Sequence, residues 1–349
     1  MKLSTTLNYS GDVAGVANEV SALEKAGLDC VWVSEGYSVD AATVMGYIAA
    51  KTETIEIGSS IINVFSRTAT LIAMTFAGLD MLSGGRANCG LGASGPQVIE
   101  GFHGVPYEQP MQRIRETIDV CRMTWRRDPV DYRGSSVHIP LAAGRGTGLG
   151  KPLKIVNRLP RPSIPIWWAA LKGRSVESAA EVADGWIPAF FAPEFAHRVW
   201  GESLARGTAK RSTELGPLKI MAGGMTRITE SADEVNRILN GGRPLVALYV
   251  GGMGARGKNF YNEVFAAYGW EKEAATIQDL YLDGHKEAAA RAIPREYLES
   301  ASLVGPAGQV QERLGLYREA GVTHLQMTLD GTLSEKIATI EQMRALIEH

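Results

Sequence analysis

Two hydrophobic rhythms alternate along this chain. Short β-branched or aromatic runs read as buried strands, and longer stretches with apolar residues every third or fourth position read as helices. The clearest unit is residues 57–95. A strand over 57–62 (IGSSII) leads through a polar turn into a helix over 67–83, which closes at Gly84-Gly85. Leu71, Met74, Gly78, Leu79 and Leu82 share one side of that helix and are its expected inner face. A strand over 86–91 follows and opens into Gly92-Ala93-Ser94-Gly95-Pro96-Gln97, whose lack of bulk leaves room for a flat ligand.

The same alternation covers the rest. Strands are predicted over 3–8, 29–34, 164–169, 185–190, 218–228 and 322–328. Between them, Asp12 caps a helix carrying Val13, Val16, Val20 and Leu23 that ends at Gly27. Further helices span 41–51, 108–125, 173–183 and 193–206; one begins at Gly305-Pro306, and a last one carries Ile337, Ile340, Met343 and Ile347. Residues 128–139 read as a hairpin-like excursion, and the glycine-rich stretch 142–150 as a mobile surface loop. Eight strands, each followed by a helix, predict an α/β (β/α)8 TIM barrel rather than a doubly wound sheet, as a single domain over residues 1–349. Insertions over about 101–160 and 231–300 are expected to crowd its C-terminal mouth.

Composition narrows the partners. The chain has 349 residues, 45 % hydrophobic, enough for a large core, and a formal net charge of −2 gives no reason to expect nucleic acid or an anionic membrane. No apolar run approaches a membrane span, and residues 1–3 lead into a strand without a signal-peptide core. Cys30, Cys89 and Cys121 are few and far apart, which predicts reduced core thiols in a cytoplasmic protein. The six histidines form no metal-ligand spacing, and no G-x-S-x-G elbow occurs.

The run SRTATLIAMTFAGLDMLSGGRANCGLGASGPQVIEGFHGVPY, with the later AEVADGW, resembles the luciferase-like family in its branch dependent on the deazaflavin coenzyme F420. The resemblance is dense in residues 27–125 and 161–191. It implies the bacterial luciferase-like barrel, a homodimer and a set of ligand contacts. Family members carry a non-proline cis peptide after the third strand that supports the ring, which the resemblance places at Ser60–Ile61. Asn63 would donate to ring carbonyls, although read alone it is a turn former. Ser94, Gly95 and Gln97 of the small-residue loop would contact the cofactor. That loop is not a dinucleotide fingerprint, since no helix is expected to open directly on it.

Residues Ala170, Leu171, Lys172, Gly173 and Arg174 join the fifth strand to its helix. Read alone they form an ordinary turn with two cations, or an anion site at a helix start. The resemblance puts the cofactor phosphate there, with Lys172-Gly173-Arg174 where relatives have Gly-Pro-Lys. After the second strand, sugar-phosphate-oxidising relatives place an acid and then a catalytic histidine. Here Glu35 is followed by Gly36, so that proton-transfer group is missing. Glu35 and Tyr37 remain as candidate donors, with a purely structural bond as the other role for Glu35. Trp167 and Trp168 should point to opposite sides of their strand. The resemblance implies hydride transfer between the deazaflavin and a small enone, carbonyl or alcohol. An FMN-dependent monooxygenase and a non-catalytic F420 carrier are the alternative readings.

Overall fold

Lys2–Leu7 (β1) pairs with Cys30–Val33 (β2), and parallel pairing continues through Glu56–Ser59 (β3), Ala87–Gly92 (β4), Ile166–Ala169 (β5), Gly185–Ile187 (β6), Lys219–Ile228 (β7) and His324–Thr328 (β8). β8 then pairs with β1, from Lys2 opposite His324 to Thr5 opposite Met327, and the sheet closes into a barrel. The computed structural model describes residues 1–7, 12–142 and 144–348; Asn8, Ala143 and His349 of the sequence reading lie outside them.

Helices Val13–Lys25 (α1), Ala41–Ala49 (α2), Ala69–Leu82 (α3), Pro110–Trp125 (α4), Gly173–Val182 (α5), Pro193–Lys210 (α6), Ala307–Glu319 (α7) and Leu333–Glu348 (α8) surround it. Their starts follow local chemistry. The Asp12 carboxylate accepts from Gly15 N at 2.9 Å and that of Asp40 from Thr43 N at 2.8 Å, while Pro110 and Pro193 occupy first-turn positions that need no donor. Among the described residues no helix is long and apolar enough to cross a membrane.

Four expectations change. The strand expected over 57–62 stops at Ser59, and Ile62–Asn63 pairs separately with Leu91–Gly92. A short helix, Pro96–Gly101, does open on the small-residue loop. Leu303–Gly305 is an extra strand beside Thr226–Ile228. The fourth concerns α3, which is apolar all round, so spacing could not choose its inner face. Ile72, Ala73, Phe76 and Ala77 are buried, whereas Leu71, Met74 and Leu82 are 46 %, 57 % and 78 % exposed. Asp80 is buried with them because it accepts from Ala87 N and from the Arg161 guanidinium.

The insertions also divide. Residues 231–300 leave the C-terminal end of β7, as expected. Residues 128–163 instead run from the end of α4 to the start of β5, and a segment between a helix and its next strand lies at the barrel's opposite end. Of the first insertion only 101–109, continuous with the loop that leaves β4 at 93, reaches the mouth. The antiparallel pair Tyr132–Arg133 and His138–Ile139 folds against α4, where Glu116 accepts from Ser136 N and Val137 N.

Trp167 enters the barrel interior and Trp168 the outer layer. Room for the inner indoles comes from missing side chains: a Cβ on Gly58 would lie 2.4 Å from Trp32 Cζ3, and one on Gly185 2.1 Å from Trp167 Cε3. Near the barrel's N-terminal end, Asn88 donates to Glu56 and accepts from Trp167 Nε1 at 3.0 Å. On the same end, Arg86 of the LSGGR turn donates to the carbonyls of Ala49, Thr52, Ile55 and Ser83.

Candidate active site

Strand ends and the loops beyond them build the mouth, the place where barrels of this kind assemble their chemistry. Cys30, Trp32, Trp167, Ile187 and Met221 form a buried floor, with Ile61 and Ala169 packed on it. Ser60 is tied to β2 through its N–H to Val33 O at 2.8 Å, and the peptide joining Ser60 to Ile61 is cis. A Cβ on Gly92 would sit 2.8 Å from Ile61 Cγ1, so glycine there is what lets the Ile61 side chain lie across β4. Asn63 is buried and turns its Oδ1 to Phe65 N and Ser66 N at 3.0 and 2.8 Å. Its amide nitrogen has no partner among the described residues.

The β4 loop turns sharply at Ser94, whose φ is 59°. Gly95 precedes the short helix, and Gln97 is exposed. Tyr107 returns over this loop and donates to Ser94 O at 3.1 Å while stacking on Phe65, centroids 5.1 Å apart. The β5 loop is held by indoles: Trp186 Nε1 donates to Ala170 O and Trp200 Nε1 to Leu171 O, both at 2.9 Å. At its end, α5 begins with Gly173 and Arg174, whose N–H groups are among the orphan donors of a first turn.

The two cations of this loop differ. Lys172 is paired with Glu263 at 2.5 Å and lies over the Phe260 ring at 4.4 Å, so its charge is already matched by the second insertion. Arg174 is exposed and has no ion pair among the described residues.

Glu35 is nearly enclosed and grips Arg67: Nη1 to Oε1 is 2.5 Å and Nη2 to Oε2 is 2.7 Å. It also accepts from Ala41 N at 3.1 Å. The Glu35 contact, with burial opposing it, pushes the Arg67 guanidinium above its ordinary value. Both its oxygens are thus engaged, tying the β2 loop to Arg67 and to the start of α2. Tyr37 is 69 % exposed and packs beside Phe102 of the β4 loop.

Sequence reasoning missed the aromatic wall. Phe190, Tyr249 and Tyr261 pack together, with centroids 4.8–5.6 Å apart. They come from the β6 loop and the second insertion, and Tyr107 is close enough to influence the Tyr261 phenol. Burial raises that phenol to about 12. The only signal in the sequence was a scatter of aromatics, at the end of the strand predicted over 185–190 and in the insertion over 231–300.

The residues present fit a flavin-type ring. The floor is apolar, Gly92 and Ala93 leave its edge clear, and the Asn63 amide nitrogen has no acceptor among the described residues. A pyrimidine edge with carbonyl acceptors complements such a donor.

Comparison with known proteins agrees with this geometry. The profile of the luciferase-like monooxygenase family matches residues 1–324, and the chain belongs to that family. Within it, the chain groups with coenzyme F420-dependent oxidoreductases. It is 38 % identical over 334 residues, 94 % of this chain and 95 % of the relative, to a provisionally named coenzyme F420-dependent oxidoreductase of Mycobacterium tuberculosis strain H37Rv. A 5,10-methylenetetrahydromethanopterin reductase of Archaeoglobus fulgidus is 26 % identical over 314 residues, covering 88 % and 86 % of the two chains. In fold, the coenzyme F420 dependent tetrahydromethanopterin reductase of Methanopyrus kandleri superposes with a TM-score of 0.79 at 21 % identity, over 98 % of this chain and 96 % of that one.

Proposed function

We propose that this enzyme binds coenzyme F420 across the mouth and catalyses hydride transfer with a small organic substrate, an enone, carbonyl or alcohol. The observation that carries the reading is the apolar floor at the strand ends, edged by Gly92 and Ala93, beside the first turn of α5 where Arg174 has no ion pair among the described residues. When bound, the deazaflavin supplies two-electron hydride chemistry at a carbon. The protein's part is to orient the ring, exclude water and manage charge. Ile61 and Gly92 support the ring, while Asn63 offers a donor to its carbonyls. Ser94, Gly95 and Gln97 border it. Arg174 and the first-turn N–H groups of α5 hold the anionic tail, with Ala170 and Leu171 fixing the loop. Glu35 acts as a positioning residue through Arg67.

The same surface features favour a homodimer. α3 carries a second apolar stripe, Leu71, Met74 and Leu82, left exposed among the described residues. A Cβ at Gly46 of α2 or Gly78 of α3 would meet nothing within 4 Å, so each glycine weakens its helix without an internal reason. Close approach of a second copy supplies one.

Titration of the cofactor-free protein with F420 and with FMN tests the reading. Saturable F420 binding, followed by oxidation of reduced F420 with an enone or quinone, is expected. Tight FMN binding with oxygen consumption would replace it with the monooxygenase reading, and F420 binding without turnover of any candidate with the carrier reading.

A further inference from the structure

By the resemblance, Gly36 stands where sugar-phosphate-oxidising relatives have a proton-transfer histidine. The aromatic wall offers another hydroxyl. Tyr261 is packed edge-on to Tyr249 at 4.8 Å and to Phe190 at 5.6 Å, yet its own hydroxyl has no hydrogen-bond partner among the described residues. Tyr107, by contrast, has its hydroxyl committed to Ser94 O. The helix bearing Tyr261 is Phe260–Ala267, and it is fastened to the β5 loop through Glu263 and Lys172, so the phenol is held at the mouth by an ion pair from its own helix.

We propose that Tyr261 donates the proton in the reduction of a planar, unsaturated carbonyl compound bound among Phe65, Tyr107, Phe190 and Tyr249. The proposal rests on the F420 reading above. Flat rings favour a flat ligand. Of the nearby cations, Lys172 is neutralised by Glu263, and Arg113 lies against Phe65 at 4.9 Å with no ion pair among the described residues. In the step, the substrate carbon receives a hydride with its electron pair from a reduced deazaflavin, and the carbonyl π pair moves onto oxygen. The Tyr261 O–H bond breaks and a new O–H bond forms on that oxygen. The phenolate recovers a proton from water. A phenol that ionises only near 12 keeps its proton throughout the working range and gives it up as negative charge builds on its neighbour.

Infrared spectra of cyclohex-2-enone labelled at its carbonyl carbon test this without cofactor or turnover. The carbonyl band should lie lower in the wild-type protein than in Tyr261→Phe, a substitution that removes a hydroxyl with no hydrogen-bond partner among the described residues and spares the fold. Turnover of the same enone by F420-loaded Tyr261→Phe should fall by roughly 10²–10⁴, with F420 affinity unchanged. An identical band in both proteins, no enone binding by the wild type, or unchanged turnover overturns the proposal. A wild type that shows the band shift but takes up no F420 leaves Tyr261 as the carbonyl's partner and removes the cofactor reading instead.

Discussion

Arg67 holds Glu35 through both guanidinium nitrogens, with side-chain exposures of only 12 % and 7 %. On the reading proposed above, the pair braces the β2 loop. Arg67 also pairs with Asp40, so removing Glu35 leaves the guanidinium one partner. Glu35→Ala should therefore lower stability in urea unfolding by less than the roughly 3 kcal/mol of a fully stranded buried charge. Glu35→Gln should retain substantial turnover, because its role is shape and pairing. A Gln variant that folds normally and is inert would restore Glu35 as a proton donor.

Lys172 and Arg174 separate by partner. With exposures of 45 % and 47 %, the Lys172–Glu263 pair contributes less than about 1 kcal/mol to stability. Arg174→Ala should weaken F420 binding roughly tenfold, as expected for loss of one charged contact, and Lys172→Ala should weaken it less. Glu263→Gln should tighten binding by freeing the ammonium. Fluorescence titrations of the three variants decide, and the reverse ranking would return the phosphate role to Lys172.

Placing charge on the outer stripe of α3 gives a clean test of assembly. Met74→Glu or Leu71→Glu should leave the barrel folded and shift the protein from dimer to monomer in light scattering. A wild type that is already monomeric at micromolar concentration removes the second copy from the account.

Burial lowers the His324 imidazole from an ordinary 6.5 to about 4, with nearby Lys2 and Lys219 adding to the effect and Glu56 and Asp29 opposing it. The unfolded chain thus gains a proton between about 6.5 and about 4 that the folded chain refuses. Stability should fall through that window by about 3 kcal/mol, at roughly 1.4 kcal/mol per factor of ten in affinity. Nothing is lost above it. His324→Asn should flatten this slope in urea unfolding measured between pH 7 and 4.5; an unchanged slope would move its origin elsewhere.

Strand count and barrel closure were legible because eight short apolar runs stand between helical stretches, each with its own caps. The inner face of α3 was not, since Ile72 and Phe76 compete with Leu71 and Met74 and only the neighbouring layers decide between them. Asn63, the β5 loop and the Ser60–Ile61 bulge were reached by resemblance. Lys172 looked free until Glu263, 91 positions away in the chain, was brought beside it. Tyr261 stayed hidden for the same reason: its surroundings come from four separate loops, and no local spacing encodes them.

Arg86 shows what the recognisable part of the sequence is for. Its fork gathers four main-chain oxygens at the closed base of the barrel, far from any ligand. LSGGR thus travels with the chassis, and proteins bearing it can share an architecture while differing in what they transform. Divergence in chemistry among such relatives should be sought in the stretch holding Phe260, Tyr261 and Glu263, where substitutions reshape the entrance without disturbing the anchor beneath.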